Sequence, residues 1–116
     1  MNLSNKKILF IGPVFHDYHS AIIKKLEELD AEVSFYPERK YNVTFKLFNT
    51  FCKSLLTRYQ QKHYSEIIDK VKNSEFDYLL VIRGYMMPVS FLEKIKMLFP
   101  KMKTMTEHFL GLFRQL

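Results

Sequence analysis

The sequence predicts an α/β fold, a three-layer αβα arrangement around a short parallel sheet of three to four strands. Three observations carry this. A continuous apolar run, Ile8-Leu9-Phe10-Ile11, follows two lysines and stops at Gly12-Pro13; uninterrupted runs mark strands buried on both faces, as parallel strands are. The spacing then turns helical, with Tyr18, Ile22, Leu26 and Leu29 on one face. The most apolar stretch, Phe76-Asp77-Tyr78-Leu79-Leu80-Val81-Ile82, arrives only after a second and longer helical region. Right-handed crossovers between such strands make them parallel neighbours in one sheet. The pattern is Rossmann-like, and the 116 residues suit one domain with one core.

Taken in order, the first strand runs from Lys7 to Ile11. A helix follows from about Asp17, a plausible N-cap, to Leu29, and Asp30-Ala31 ends it. Glu32-Val33-Ser34-Phe35-Tyr36 reads as a shorter second strand ended by Pro37. The charged stretch 38–42 reads as a loop. Helical spacing resumes over about 44–72, with Phe45, Phe48, Cys52, Leu55 and Tyr59 as its apolar stripe and Cys52 as a small buried hydrophobe. The polar stretch 60–64 suggests a break, with Ser65 capping a second segment that carries Ile67, Ile68 and Val71. After the third strand, Arg83-Gly84-Tyr85 forms a loop, and Pro88 suits the first turn of a helix with Phe91, Ile95 and Leu98 on its apolar face. Residues 102–105 offer a short fourth strand. Residues 106–116 read as a small amphipathic helix.

Composition narrows the function classes. A hydrophobic fraction of 47% excludes a disordered chain. No apolar run approaches the roughly 20 residues of a membrane-spanning helix, and the polar start lacks the features of a signal peptide, so a soluble or peripheral protein is expected. One cysteine, Cys52, allows no internal disulfide and fits a reducing compartment. The net charge of +6 is unevenly spread: residues 1–38 carry −2, residues 39–72 carry +6 and residues 73–116 carry +2. The basic, aromatic region from Arg39 to Lys72 is compatible with a solvated helical surface over a core, or with peripheral contact with an anionic membrane. Nucleic-acid binding is the least favoured reading, because the aromatics recur at helical spacing.

Two loops could carry chemistry. Ligands of open α/β sheets bind outside the carboxyl ends of the strands, where both loops should lie. In the first, Gly12 permits close backbone approach, Phe15 could line a cleft, and His16 and His19 are residue types that can exchange protons, with Asp17 able to orient either. The alternative is that Asp17 only caps the helix and both histidines are surface residues. In the second, Arg83 could hold a phosphate or carboxylate, Gly84 frees the turn and Tyr85 could stack on a sugar or base; alternatively Arg83 pairs with a nearby acid and Tyr85 packs on the rim. Neither loop is a Gly-x-Gly-x-x-Gly fingerprint or a P-loop. No cofactor is expected, and no metal site, because no third ligand of matching spacing accompanies the histidines.

Lys-Lys-Ile-Leu-Phe-Ile-Gly-Pro at 6–13, Lys-Lys-Leu-Glu-Glu-Leu at 24–29 and Phe-Asp-Tyr-Leu-Leu-Val-Ile-Arg-Gly at 76–84 together resemble the N-terminal half of bacterial GT-B glycosyltransferases. The likeness is greatest to the spore-maturation (CgeB-like) and capsular or lipopolysaccharide biosynthesis proteins. Asp77 to Gly84 fits their Asp-x-hydrophobic-hydrophobic-hydrophobic-x-x-Gly pattern. The resemblance covers about residues 6–100, and its motifs are shared by many Rossmann-like domains. It implies the N-terminal, acceptor-side domain of a two-domain cytoplasmic enzyme, peripheral to the inner membrane face, that moves sugar from a nucleotide donor in cell-surface polysaccharide synthesis. Its partners would be a sugar acceptor or a sugar nucleotide. His16 or His19 would be the base that deprotonates an acceptor hydroxyl, while Gly12, Phe15, Arg83, Gly84 and Tyr85 line the cleft. The donor domain of such enzymes is not in these 116 residues, so a truncated domain without independent transferase activity is expected. The competing expectation is a small flavodoxin-like binding or interaction module without catalysis. A receiver domain is disfavoured, since Gly12-Pro13 and Arg83-Gly84 stand where its acids would be. A domain with so few strands should leave apolar surface exposed, so self-association, through the C-terminal segment, is also expected.

Overall fold

The structure, a computed structural model, describes residues 3–14 and 17–105. Its core is β1 (Lys7–Gly12), whose side chains alternate between two apolar layers. Ile8 and Phe10 pack with Ile22 and Leu26 of α1 (Tyr18–Glu28). Leu9 and Ile11 face the other way, onto the helices that come later. This two-sided burial is why the run is continuously apolar. Asp17 occupies the N-cap position of α1, but its side chain makes no capping bond. The helix closes as expected at Asp30-Ala31. Asp30 adopts φ 65°, and the amides of Asp30 and Ala31 return to the carbonyls of Glu27 and Leu26, a Schellman closure.

β2 (Glu32–Pro37) pairs parallel to β1 from Lys7↔Glu32 to Gly12↔Pro37. The chain then crosses to the opposite face through α2 (Val43–Phe51) and α3 (Lys53–Val71), and returns as β3 (Tyr78–Val81) on the other side of β1. α4 (Val89–Leu98) leads to β4 (Lys103–Thr104), which pairs with β3. The four strands are all parallel, in the order β2-β1-β3-β4. α1 covers one face; α3 and α4 cover the other with Tyr64, Ile67, Ile68, Val71, Phe91 and Ile95. The fold is a small α/β domain of the Rossmann-like class.

The helical region departs from its sequence reading. The break falls at Cys52, which is extended at φ −152° and ψ 97°, and not at 60–64. Ser65 lies inside α3 and caps nothing, and Cys52 is half-exposed. A break at Cys52 resets the phase, so the buried face of α3 is Leu56, Gln60, His63, Tyr64, Ile67, Ile68 and Val71, while Leu55 is exposed. Gln60, His63 and Tyr64 look inward despite their polarity because backbone carbonyls await them there. The tail, 106–116, lies outside the described residues.

Candidate functional site

From β1 the chain passes to α1 on one face, whereas from β3 it passes to α4 on the other. The carboxyl ends of these neighbouring strands therefore part, and the crevice between them is the topological switch point where such sheets bind ligands. Gly12-Pro13-Val14 forms one side; the loop from Ile82 to Pro88 forms the other. The amide of Ile82 bonds the Ile11 carbonyl at 2.9 Å and anchors the two together. Gly12 is required by packing. A Cβ there would come within 2.9 Å of the Phe10 ring, itself locked in the core.

The second loop is conformationally costly. Arg83, Gly84 and Met86 adopt φ of 68°, 63° and 50°, and non-glycine residues in that region cost on the order of 1 kcal/mol or more each. A fully buried carboxylate, Glu38, holds the turn from the end of β2. Its Oε1 accepts from Arg83 Nε at 2.6 Å and from the guanidinium Nη2; its Oε2 accepts from the Tyr85 amide at 2.8 Å. The Glu38 contact raises the pKa of Arg83 further above its ordinary value. Beneath, the Tyr85 carbonyl accepts from Tyr64 Oη at 2.9 Å and from Gln60 Nε2 at 3.3 Å, and Gln60 Nε2 also reaches the Glu38 carbonyl at 3.0 Å. Burial, then the Glu38 charge, pushes the Tyr64 phenol up, so it stays a donor. His63 Nε2 lies 2.6 Å from the Pro37 carbonyl, which fixes the tautomer as Nε2–H, and burial lowers its pKa.

Outside this framework sits Arg39. Its guanidinium is 4.0 Å from the centre of the Tyr41 ring and 4.2 Å from that of Phe45. Tyr41 is tied to the first loop, its Oη accepting from the Val14 amide at 2.8 Å. Phe45 in turn lies 6.0 Å from the Tyr85 ring. Among the described residues Arg39 makes no ion pair; Lys40 beside it is paired with Glu66 at 3.1 Å. A planar cation held on aromatic faces, its N–H groups unclaimed among the described residues, is suited to bidentate capture of a phosphate or carboxylate.

Of the residues expected from sequence, Gly12, Arg83, Gly84 and Tyr85 stand at this carboxyl edge. Arg83 spends Nε and Nη2 on Glu38. His19 lies on the α1 face, its ring stacked on Phe35 at 5.0 Å, and its buried Nδ1 has no partner among the described residues. The Arg83–Tyr85 cluster belongs to the α3 face, so the structure does not bring His19 together with it. Phe15 and His16 lie outside the described residues. Sequence reasoning missed Glu38, Arg39, Tyr41, Gln60, His63 and Tyr64. The available signal was that Gln60, His63, Tyr64 and Ile67 share the spacing of one helical face. A groove of about 470 Å³ opens between α3 and α4, lined by residues that include Ser65, Asp69 and Lys94 and touching the second crevice loop only at its last residue, Pro88. No group of His, Cys, Asp or Glu among the described residues is arranged to hold a metal ion. Comparison with protein-family models, with curated proteins and with solved structures finds no match to this chain.

Proposed function

We propose that this chain is the acceptor-side domain of a GT-B-type sugar transferase, and that its switch-point crevice holds a sugar acceptor carrying an anionic group. The observation behind this reading is the guanidinium of Arg39, without an ion-pair partner among the described residues and clasped by Tyr41 and Phe45 beside the Val14 amide. It supplies the anion contact, and the Tyr41 and Tyr85 rings offer faces on which a sugar can rest. Arg83 is a positioning residue, holding the loop through Glu38. The motif resemblance at 6–13 and 76–84 supports the transferase class. His19, stacked on Phe35 on the α1 face, stands apart from the crevice cluster, so His16 is the remaining candidate for the base that would deprotonate the acceptor hydroxyl, and a second domain would bring the sugar nucleotide. NMR titration of the full chain tests this. Glucose 1-phosphate should shift the amides of Val14, Arg39 and Tyr85, glucose should not, and Arg39→Ala should weaken the effect by about tenfold. Titrations in which no sugar phosphate moves these amides would remove the reading.

A second reading, a flavodoxin-like interaction module without catalysis, is favoured by the strand order β2-β1-β3-β4, which that class shares. It is the reading left standing if the crevice ignores every sugar ligand.

A further inference from the structure

α2 is apolar on two sides. Phe45 is buried beneath it, and Phe48 packs edge-on against Tyr59 at 5.5 Å. Val43, Leu47 and Phe51, spaced four apart, form a stripe on the outer side and are 70%, 51% and 79% exposed. Scattered exposed apolar residues need no explanation, but an aligned stripe on one helix is an interaction surface. The surrounding charge says what kind. Residues 39–65 contain six basic side chains and no acid. Lys46, Lys53 and Arg58 are exposed and form no ion pair among the described residues. A second copy of the same face would set cation against cation.

We propose that the outer face of α2 docks on an anionic lipid bilayer, with Val43, Leu47 and Phe51 entering below the headgroups and Lys46, Lys53 and Arg58 meeting their phosphates. Apolar insertion and cation–headgroup attraction act together in such contacts, and neither suffices alone. The surface is distinct from the crevice, so its failure would leave the ligand-binding reading untouched.

The chain has no tryptophan, so Phe51→Trp supplies a single reporter at the most exposed residue of the stripe. Its emission should shift to the blue with phosphatidylglycerol vesicles and not with phosphatidylcholine vesicles, and high salt should reverse the shift. Leu47→Ser, at an exposed position, should lower co-sedimentation of the full chain with phosphatidylglycerol vesicles about tenfold with an unchanged circular dichroism spectrum. Lys46→Glu should also weaken it. An absent shift, or an equal shift with both lipids, overturns the proposal. So does a blue shift without lipid that grows with protein concentration and is lost in a Phe51→Trp, Leu47→Ser double variant, since that assigns the face to a second copy.

Discussion

His63 shows how a single buried group sets a pH limit. Its Nε2–H is used on the Pro37 carbonyl, and its Nδ1 is buried with no partner among the described residues. Protonation would add a charge that burial penalises and that Lys40 and Lys70 repel, against support from the Pro37 carbonyl and Glu66. The folded pKa is therefore lowered while the unfolded value stays near about 6.5. Below the unfolded value the unfolded chain binds the extra proton, so stability falls as pH drops through about 6.5 towards the folded pKa, by at most about 1.4 kcal/mol per pH unit. Above that value the contribution is fully present. Urea unfolding at a series of pH values should reveal this slope, and His63→Gln, which keeps a donor but does not titrate, should flatten it. An identical slope in the variant would refute the burial account. The role of His63 was illegible in the sequence for a physical reason. Polar residues at 60–64 contradict an apolar stripe, and only the tertiary structure supplies the carbonyls of Pro37, Glu38 and Tyr85 that make their burial tolerable. Glu38 was hidden likewise, as one charge in a stretch that reads as a solvated loop.

At the level of the element, α2 depends on its start. Asn42 is extended at the N-cap, its Oδ1 accepts from the Phe45 amide at 2.9 Å, and its Nδ2 reaches Tyr59 Oη at 2.8 Å. Asn42→Ala removes the cap and the tie to α3 together. It should cost about 1–2 kcal/mol in denaturant unfolding, while Asn42→Asp, which preserves the cap, should cost less. The ends of α1 were readable because Asp30-Ala31 closes it by purely local bonds. The division between α2 and α3 was not, since Phe48, Cys52, Leu55 and Tyr59 continue a perfect helical spacing through the break. Periodicity records which residues could share a face; it does not record one residue, Cys52, leaving the helical region.

For the molecule as a whole, the order β2-β1-β3-β4 makes β1 an interior strand, paired from Lys7 to Gly12 with β2 and from Ile8 to Ile11 with β3, with apolar layers above and below. β4 is two residues long and exposed. Amide hydrogen exchange should follow that gradient, slowest at Leu9, Phe10 and Ile11 and fastest in the sheet at Lys103 and Thr104. Exchange at β1 as fast as at β4 would contradict the topology. This central strand was the most legible part of the sequence, because burial on both faces leaves an uninterrupted apolar run. The switch point was legible as two loops following two strands. That a third segment, after β2, would complete the wall was not, because strand adjacency is a property of the assembled sheet.

The bond between Glu38 and the Arg83 turn has a consequence for descent. Losing the carboxylate leaves a left-handed turn with an unsatisfied Tyr85 amide, and losing the guanidinium leaves a buried carboxylate with a single backbone donor. Each loss is harmful while the other partner stays. The two positions, far apart along the chain, are thus energetically one unit, and a change at either is best tolerated when the other changes with it.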